Sequence, residues 1–171
     1  MYGRKEEMNH LKELYDSNRF EFLVMYGRRR VGKTTILQEF AENTNSIFFP
    51  AREKNDALNL EDFSKMIQYH FDKNFIASFQ SWEDALNYIG AKVEQRTAVI
   101  IDEFPYIIEE NPSIKSILQH TIDHNWKNKN IFLILCGSSV SIMESDVMGR
   151  KSPLHDRQTS SLEINPFDYL E

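Results

Sequence analysis

The sequence predicts a three-layer α/β fold with a mostly parallel β-sheet. Two unbroken apolar runs, at 98–101 and 131–136, are typical of central strands that are buried on both faces. Segments with apolar residues at helical spacing alternate with the predicted strands, as expected for helices that cover a sheet. The chain has 171 residues, which fits one domain because globular domains average roughly 150 residues.

The first half of the chain supplies two predicted strands and three predicted helices. Residues 20–26 are mostly apolar and end at a glycine-containing turn, after which the helix-prone segment 34–43 begins. Residues 47–49 form a second apolar stretch, which stops at a proline. Two segments with apolar residues at helical spacing follow, at 58–71 and 82–93. Their spacing suits helices that pack on a sheet.

The second half continues the same alternation. The apolar runs 98–101 and 131–136 are the predicted third and fourth strands, and each is followed by polar residues. A predicted helix at 113–126 separates them, another lies at 141–147, and 161–164 is the predicted last strand. Ligands of such folds bind at the carboxyl ends of the strands, so the residues that follow each apolar run are the candidates for function.

The strongest functional signal is a phosphate-loop pattern, G-x-x-x-x-G-K-[ST], between a predicted strand and a predicted helix. It is formed by Gly27, Arg28, Arg29, Arg30, Val31, Gly32, Lys33 and Thr34. The glycines let the backbone curl so that successive N–H groups face a phosphate, and the helix N-terminus adds its positive dipole end. Lys33 is expected to hold the β- and γ-phosphates during catalysis, and Thr34 to give its hydroxyl to Mg²⁺. A chance turn that caps a helix is the other interpretation.

Two carboxylates, Asp102 and Glu103, directly follow the third predicted strand. Buried neighbouring acids repel each other unless a cation neutralises them, and bound Mg²⁺ is such a cation. We therefore expect Asp102 to bind Mg²⁺, through water, and Glu103 to polarise the water that attacks the γ-phosphate. We expect the pair on a strand adjacent to the phosphate loop. Surface acids on a solvated loop are the alternative.

Hydroxyl groups follow the fourth predicted strand. Ser138 is the first candidate, and Ser139 the second, for contacting the γ-phosphate or the attacking water. A helix N-cap made by one of these serines or by Ser141 is an equally good interpretation, and one residue can do both.

Arginines stand at two places near the predicted site. Arg28, Arg29 and Arg30 form a cationic cluster that could attract nucleotide phosphates or an acidic surface, although exposed loop arginines without a role explain them equally well. Arg150 and Arg157 precede the last predicted strand. Arg157 is the candidate for stabilising transition-state charge on a nucleotide held by a neighbouring subunit.

Composition and charge narrow the class of protein. Twenty Lys and Arg residues against 26 Asp and Glu give a net charge of −6, so any anion site must be local. The single cysteine, Cys136, is interpreted as a buried thiol, which fits a reducing cytoplasm. The run 131–136 is too short to span a bilayer, and the charged N-terminus lacks the apolar stretch of a signal peptide. We therefore expect a cytoplasmic protein with no membrane partner.

Nearly the whole chain resembles the nucleotide-binding domain of the archaeal-type AAA+ ATPases, a STAND-like P-loop group. The segments that carry the resemblance are 2–7, 26–35, 51–53, 101–106, 135–139, 152–154 and 165–167. The resemblance implies a P-loop NTPase fold of the AAA+/ASCE type, whose five-stranded sheet has the order 5-1-4-3-2. It also implies ATP and Mg²⁺ at the strand ends, Thr35 in the phosphate loop, and Gly3 and Arg4 near the adenine.

The chain departs from this family in two respects. Members often show Gly-Arg-Arg after the Ser-Pro-Leu stretch, where this chain has Asp156, Arg157 and Gln158, which weakens the trans role given to Arg157. Relatives also continue into a helical lid and a C-terminal nuclease-like or DNA-binding-like domain. We expect residues 1–171 to form the ATPase core domain alone, without these two parts.

The sequence favours a Mg²⁺-dependent ATPase module, slow in isolation, that binds ATP and ADP within a larger nucleotide-driven switch or remodelling protein. Self-association or a protein partner is expected, and DNA binding only through a C-terminal domain. A small-molecule P-loop kinase is one alternative, because Ala51, Arg52 and Glu53 could imitate an acceptor site, although Asp102 and Glu103 fit water activation better. A non-catalytic, nucleotide-dependent interaction module is the other alternative.

Overall fold

Five strands form one sheet within residues 4–166, the part of the chain that the computed structural model describes. They are β1 (Glu21–Tyr26), β2 (Ser46–Pro50), β3 (Thr97–Asp102), β4 (Ile131–Gly137) and β5 (Ser160–Glu163). Their order is β2-β3-β4-β1-β5, and every pairing is parallel. The predicted order, 5-1-4-3-2, is the same order counted from the other edge, so the predicted P-loop type of α/β fold is confirmed.

Burial along the strands follows their position in the sheet. Every residue of β3 and β4 is buried, because helices cover both faces of these central strands. The edge strands β2 and β5 instead alternate between better-covered and more exposed residues. The uninterrupted apolar runs therefore belong to the centre of the sheet, as predicted.

Helices flank the sheet on both sides. They are α1 (Lys5–Asp16), α2 (Lys33–Glu42), α3 (Asp56–Asp72), α4 (Trp82–Lys92), α5 (Pro105–Glu110), α6 (Ile114–His124) and the short α7 (Val140–Ile142). A single 3₁₀ turn (Trp126–Asn128) follows α6, and a π-helical turn (Met143–Val147) follows α7. Within residues 4–166, no helix is long and apolar enough to cross a membrane.

The core consists of two apolar clusters, one on each face of the sheet. Alternate residues of β1 enter different clusters, since successive side chains of a strand point to opposite faces. Phe22 belongs to the cluster that contains Phe63 and Trp126, whereas Leu23 belongs to the cluster that contains Leu37. These two clusters give the three predicted layers.

Two helices, α1 and α5, are absent from the sequence-based prediction. Helix α1 is strongly charged, and Leu11 is its fully enclosed apolar residue. Its helical signal is the spacing of Met8, Leu11 and Leu14, which pack against the same cluster. Helix α5 has only six residues and begins at Pro105, a residue favoured in the first turn. A helix this short offers no apolar period to detect.

Arg96 holds the C-terminus of α1 against the amino edge of the sheet. Its guanidinium donates to the carbonyl oxygens of Leu14, Tyr15 and Arg19 at 2.6, 2.7 and 2.5 Å, and to Oδ1 of Asn130 at 3.0 Å. The residue is 8% exposed. A cation among the free carbonyls of a helix C-terminus also complements the helix dipole. Arg96 therefore fixes where α1 runs along the sheet.

Candidate functional site

The phosphate-loop segment joins β1 to α2 and has the curled backbone that its glycines predict. Gly32 precedes α2 with a φ of 99°, and Arg30 also has a positive φ, of 66°. Gly27 lies against the segment after β5, where a Cβ atom would come within 2.3 Å of the carbonyl oxygen of Ile164. A side chain at position 27 is therefore excluded, and the loop begins in close contact with the end of the sheet.

Lys33 is the first residue of α2, and its side chain turns back into the loop. The ammonium group donates to the carbonyl oxygen of Arg28 at 2.7 Å, and the residue is 4% exposed. The lysine charge is therefore held inside the loop, beside the backbone of Arg28. It can supply a positive charge to an anion bound there.

The phosphate loop contacts the acid pair directly. Thr34 Oγ1 donates to Oδ2 of Asp102 at 2.8 Å, and the backbone N–H of Glu103 donates to Oδ1 of Asp102 at 3.0 Å. Asp102 is 3% exposed. Burial raises the pKa of Asp102, as does the charge of Glu103, whereas the hydrogen bond from Thr34 opposes the rise. A cation beside Asp102 would favour its charged form.

The strands that carry the phosphate loop and the acid pair are not neighbours. The expectation of an adjacent strand is therefore wrong, whereas the strand order implied by the family resemblance already separates the two. Strand β4 lies between β1 and β3. Helix α2 crosses the sheet from β1 towards the far edge strand β2 and packs on both β2 and β3. The crossing brings Thr34, at the start of α2, to the end of β3.

Glu103 is bonded to the residue that follows β4. Its backbone has a φ of 55°, and its carboxylate accepts a hydrogen bond from Ser138 Oγ at 2.5 Å. The close approach of the strand ends is supported by the backbone bond from Phe104 N to the carbonyl oxygen of Cys136, at 2.9 Å. The structure thus brings Ser138 to Glu103, while Ser139 occupies the N-cap position of α7.

These groups surround one cavity of about 350 Å³. Its lining residues are Arg29, Arg30, Gly32, Lys33, Thr34, Thr35, Glu103, Tyr106 and Ser138. Val31 is buried, and Arg28 contributes its carbonyl oxygen to Lys33. The predicted phosphate-loop residues and the predicted Glu103 and Ser138 are therefore gathered at one place, at the carboxyl edge of the sheet.

Tyr106 also lines this cavity, although no sequence motif predicts a role for it. Its hydroxyl accepts a hydrogen bond from Arg29 at 3.2 Å, which links α5 to the phosphate loop. An aromatic residue shortly after an acid pair is only a weak sequence signal for a site residue. The direction of its side chain depends on the turn between β3 and α5. The contact gives Arg29 a partner on the opposite wall of the cavity.

The family resemblance implies that Gly3 and Arg4 lie near the adenine. Arg4 is 3% exposed and donates to the carbonyl oxygens of Val31 at 2.7 Å and Asn165 at 2.8 Å, and to Glu7 Oε1 at 3.4 Å. It therefore bridges the phosphate loop and the segment after β5. Gly3 lies outside the described residues.

The two remaining arginine candidates lie apart from the cavity lining. Arg157 donates to both carboxylate oxygens of Asp123 on α6, at 3.1 and 2.8 Å. This pairing lowers the pKa of Asp123. Arg150 is exposed. Arg157 is thus paired within its own chain, and its trans role stays a prediction.

The oxygen donors of the site fit a cation that is shared with a phosphate. Mg²⁺ prefers hydroxyl and carboxylate oxygens such as those of Thr34 and Asp102. Among residues 4–166, no group of three or more His, Cys, Asp or Glu side chains could hold a metal ion.

A family of ATPase domains, described as predominantly from Archaea, matches the chain over residues 1–171. Among curated relatives, the uncharacterised protein MJECL04 of Methanocaldococcus jannaschii is 37% identical over 166 residues, which cover 97% of this chain and 36% of that protein. The uncharacterised ATP-binding protein MJ0423 of the same organism is 43% identical over 49 residues, which cover 25% of this chain and 83% of that protein. This chain thus spans about a third of the length of MJECL04.

Two solved structures share the fold. The Walker-type ATPase paby2304 of Pyrococcus abyssi is 22% identical with a TM-score of 0.68, and the match covers 99% of this chain and 55% of that chain. The Orc1 protein of Aeropyrum pernix, solved in complex with DNA, is 15% identical with a TM-score of 0.67, and the match covers 96% and 46% of the two chains. Both similarities concern the arrangement of strands and helices described above.

Proposed function

We propose that this chain, which belongs to the family of ATPase domains found predominantly in archaea, binds ATP with Mg²⁺ and hydrolyses it slowly. The observation that carries the proposal is the 2.8 Å hydrogen bond between Thr34 and Asp102. It joins the phosphate loop to the acid pair, so one cavity contains both phosphate-binding groups and a carboxylate able to orient water.

Lys33 and the loop amides are the proposed phosphate-binding groups. The Lys33 ammonium would exchange the carbonyl oxygen of Arg28 for phosphate oxygens, which bind an ammonium group more strongly because they are charged. Residues 27–35 would enclose the phosphates, and Arg29 and Arg30 add positive charge to the cavity wall. Arg4 would hold the loop in position through Val31.

Glu103 is the proposed base that orients the attacking water. Its carboxylate lines the same cavity as Lys33, and Ser138 fixes its direction. Thr34 and Asp102 would hold Mg²⁺, which, when bound, would neutralise charge on the phosphates. Positioned groups of this kind contribute most of the catalysis in phosphoryl transfer, because the transferred group needs orientation and charge stabilisation.

Two variants separate the proposed roles. Lys33→Ala removes the charge at the centre of the loop, so we expect nucleotide binding to be abolished. Glu103→Gln keeps the shape of the side chain, so we expect binding to persist while turnover falls by about 10² to 10⁴. Isothermal titration with ATP and Mg²⁺ measures binding, and phosphate release without an added acceptor measures turnover.

Lys129→Ala is the matched control, since Lys129 is exposed and lies just before β4, at the opposite edge of the sheet. It should leave both measurements unchanged. Equal loss of nucleotide binding in the Lys33 and Glu103 variants would contradict the role given to Glu103. Strict dependence of phosphate release on an added metabolite would favour a kinase.

A non-catalytic nucleotide switch is the second candidate, and one observation favours it. Ser138 already engages the Glu103 carboxylate, and a base held in this way is less free to accept a proton. Such a switch would bind ATP and Mg²⁺ yet turn over no faster than the Glu103→Gln variant. The same pair of measurements therefore distinguishes the two functions.

The proposed module would act within a larger nucleotide-driven protein. The chain spans 36% of MJECL04, which leaves length in such relatives for a part that reads out the nucleotide state. Self-association or a protein partner is proposed for this domain. DNA contact, as in the Orc1 complex, is proposed only through a further domain, because the charge of this chain is −6.

A further inference from the structure

One side-chain hydrogen bond joins the phosphate loop to α5 at the candidate nucleotide site. Arg29 Nη2 donates to the hydroxyl oxygen of Tyr106 at 3.2 Å, and both residues line the cavity of about 350 Å³. Arg29 is exposed, whereas Tyr106 is partly buried. The guanidinium therefore stands at the edge of the cavity, where it can exchange one acceptor for another.

Tyr106 is a weak acceptor for a guanidinium group. Its hydroxyl oxygen is neutral, and hydrogen bonds to charged acceptors are roughly twice as strong. Within the described residues 4–166, Arg29 forms no ion pair, in contrast to Arg157, which is held by both oxygens of Asp123. A phosphate oxygen that entered the cavity would therefore be a better acceptor for Arg29 than its present one.

The contact holds Arg29 beside the turn that carries the proposed base. The backbone N–H of Tyr106 donates to the carbonyl oxygen of Glu103 at 3.1 Å, and the Glu103 carboxylate lines the same cavity. Lys33 is instead held inside the loop. In phosphoryl transfer the attacking water approaches the γ-phosphate in line with the leaving oxygen, so the group that orients this water lies beyond the γ-phosphate. Arg29 is thus directed towards the end of the cavity that the γ-phosphate would occupy.

We infer that Arg29 distinguishes a nucleoside triphosphate from a diphosphate at this site. When a triphosphate binds, the guanidinium exchanges the Tyr106 hydroxyl for oxygens of the γ-phosphate, and its planar fork can bind two of them at once. A diphosphate offers no oxygen at this position, so the bond to Tyr106 persists. The inference rests on the proposed function, and it makes the contact between the phosphate loop and α5 depend on which nucleotide is bound.

Isothermal titration of the full chain at saturating Mg²⁺ tests the inference with two ligands. They are ADP and the β,γ-imido analogue of ATP, which resists hydrolysis. Arg29→Met should weaken binding of the triphosphate analogue about tenfold and binding of ADP by less than about twofold, because only the triphosphate loses a charged hydrogen-bond partner. Arg29→Lys keeps the charge without the fork and should recover only part of the triphosphate affinity.

Tyr106→Phe tests the exchange of partners. It removes the hydroxyl and keeps the ring, so Arg29 has no bond to Tyr106 to give up when the triphosphate binds. The affinity for the triphosphate analogue should rise about twofold to threefold, as expected for one exposed neutral hydrogen bond. In the Arg29→Met background the same substitution should have no effect, because Tyr106 acts through Arg29.

Two further variants serve as controls. Lys129→Met removes an equal charge at the opposite edge of the sheet and should bind both ligands as the original chain does. Arg30→Met removes a charge from the lining of the same cavity, but Arg29 is the loop arginine that contacts α5. The ratio of triphosphate to diphosphate affinity should therefore change less in Arg30→Met than in Arg29→Met. Circular dichroism and thermal unfolding check that each variant is folded.

Several results would overturn the inference while the proposed function stands. One is equal weakening of both ligands by Arg29→Met, which would assign Arg29 to general attraction of phosphates. Another is an equal change of the affinity ratio in Arg30→Met. A Tyr106→Phe variant that fails to raise the triphosphate affinity would contradict the exchange of partners. Absence of binding of either ligand to the folded original chain would contradict the proposed function, and this inference with it.

Discussion

Glu103 combines an unusual backbone conformation with a closely bonded side chain. Its φ of 55° is uncommon for a residue with a side chain and costs of the order of 1 to 3 kcal/mol. Such a conformation persists only where neighbouring groups hold it. Ser138 is one of these groups, because its hydroxyl donates to the carboxylate. The direction of the proposed base is therefore set from β4.

Removal of the Ser138 hydroxyl tests this dependence. We expect Ser138→Ala to lower kcat for ATP hydrolysis about tenfold while the affinity for ATP stays unchanged, because the variant loses one hydrogen bond that orients Glu103. Ser138→Thr keeps a hydroxyl and should retain more of the activity. Steady-state kinetics with a parallel ATP titration measures both quantities. A kcat that rises in Ser138→Ala would instead identify the contact as inhibitory.

Much of the candidate site could be predicted at this scale, because its residue types are tied to fixed spacing and to strand ends. Lys33, Thr34, Asp102 and Glu103 could be identified in this way. Tyr106 could not, since the turn that starts α5 at Pro105 determines where its ring points. The geometry of this turn depends on how the chain around Pro105 packs in the folded protein, and residue spacing does not predict it.

At the scale of elements, α1 depends on contacts with a residue outside the helix, Arg96. Its apolar face is narrow, and its C-terminal carbonyl groups are bonded by Arg96 from the start of the β3 region. Tyr15 and Phe132 also lie within 6 Å of the guanidinium, at 5.8 and 5.7 Å from their ring centres. Tertiary contacts of Arg96 thus add to the apolar contacts of Met8, Leu11 and Leu14 in holding this helix.

Replacing Arg96 should therefore loosen α1 and destabilise the fold. We expect Arg96→Met to lower the free energy of unfolding by about 3 kcal/mol or more, because several hydrogen bonds to a charged group are lost together. Arg96→Lys keeps the charge but loses the planar fork, so it should recover only part of the loss. Urea unfolding followed by circular dichroism measures the change.

The control is Lys129→Met, an exposed substitution at the same edge of the sheet, which should change stability by less than about 0.5 kcal/mol. If Arg96→Met were as stable as this control, α1 would be held by its apolar contacts alone.

At the scale of the whole molecule, the charge distribution limits the partners of the domain. With a net charge of −6, we expect the chain to bind a random-sequence DNA duplex more weakly than about 10⁻⁴ M at physiological salt. Anisotropy titrations of labelled DNA at several salt concentrations measure this affinity. Micromolar binding with a steep salt dependence would contradict this expectation and would show that the domain has a cationic surface that binds DNA.

The apolar pattern of the sequence predicts a mostly parallel sheet, but it does not predict which strands lie side by side. Unbroken apolar runs identified β3 and β4 as central, since both faces of these strands are covered. Strand β4 lies between β1 and β3 because of the way the strands are connected. The apolar pattern within a strand does not indicate which strands are its neighbours. The resemblance to a known family supplied the order, and the crossing of α2 explains how the site forms across the intervening strand.

The bridge made by Arg4 has a mechanical consequence. One guanidinium donates to the carbonyl oxygens of Val31 and Asn165, so a single side chain links the loop proposed to enclose phosphate to the segment that follows β5. A shift of the loop when a nucleotide enters would be transmitted to the segment after β5 through these two hydrogen bonds. In longer relatives, the same shift would be delivered to whatever that segment leads into.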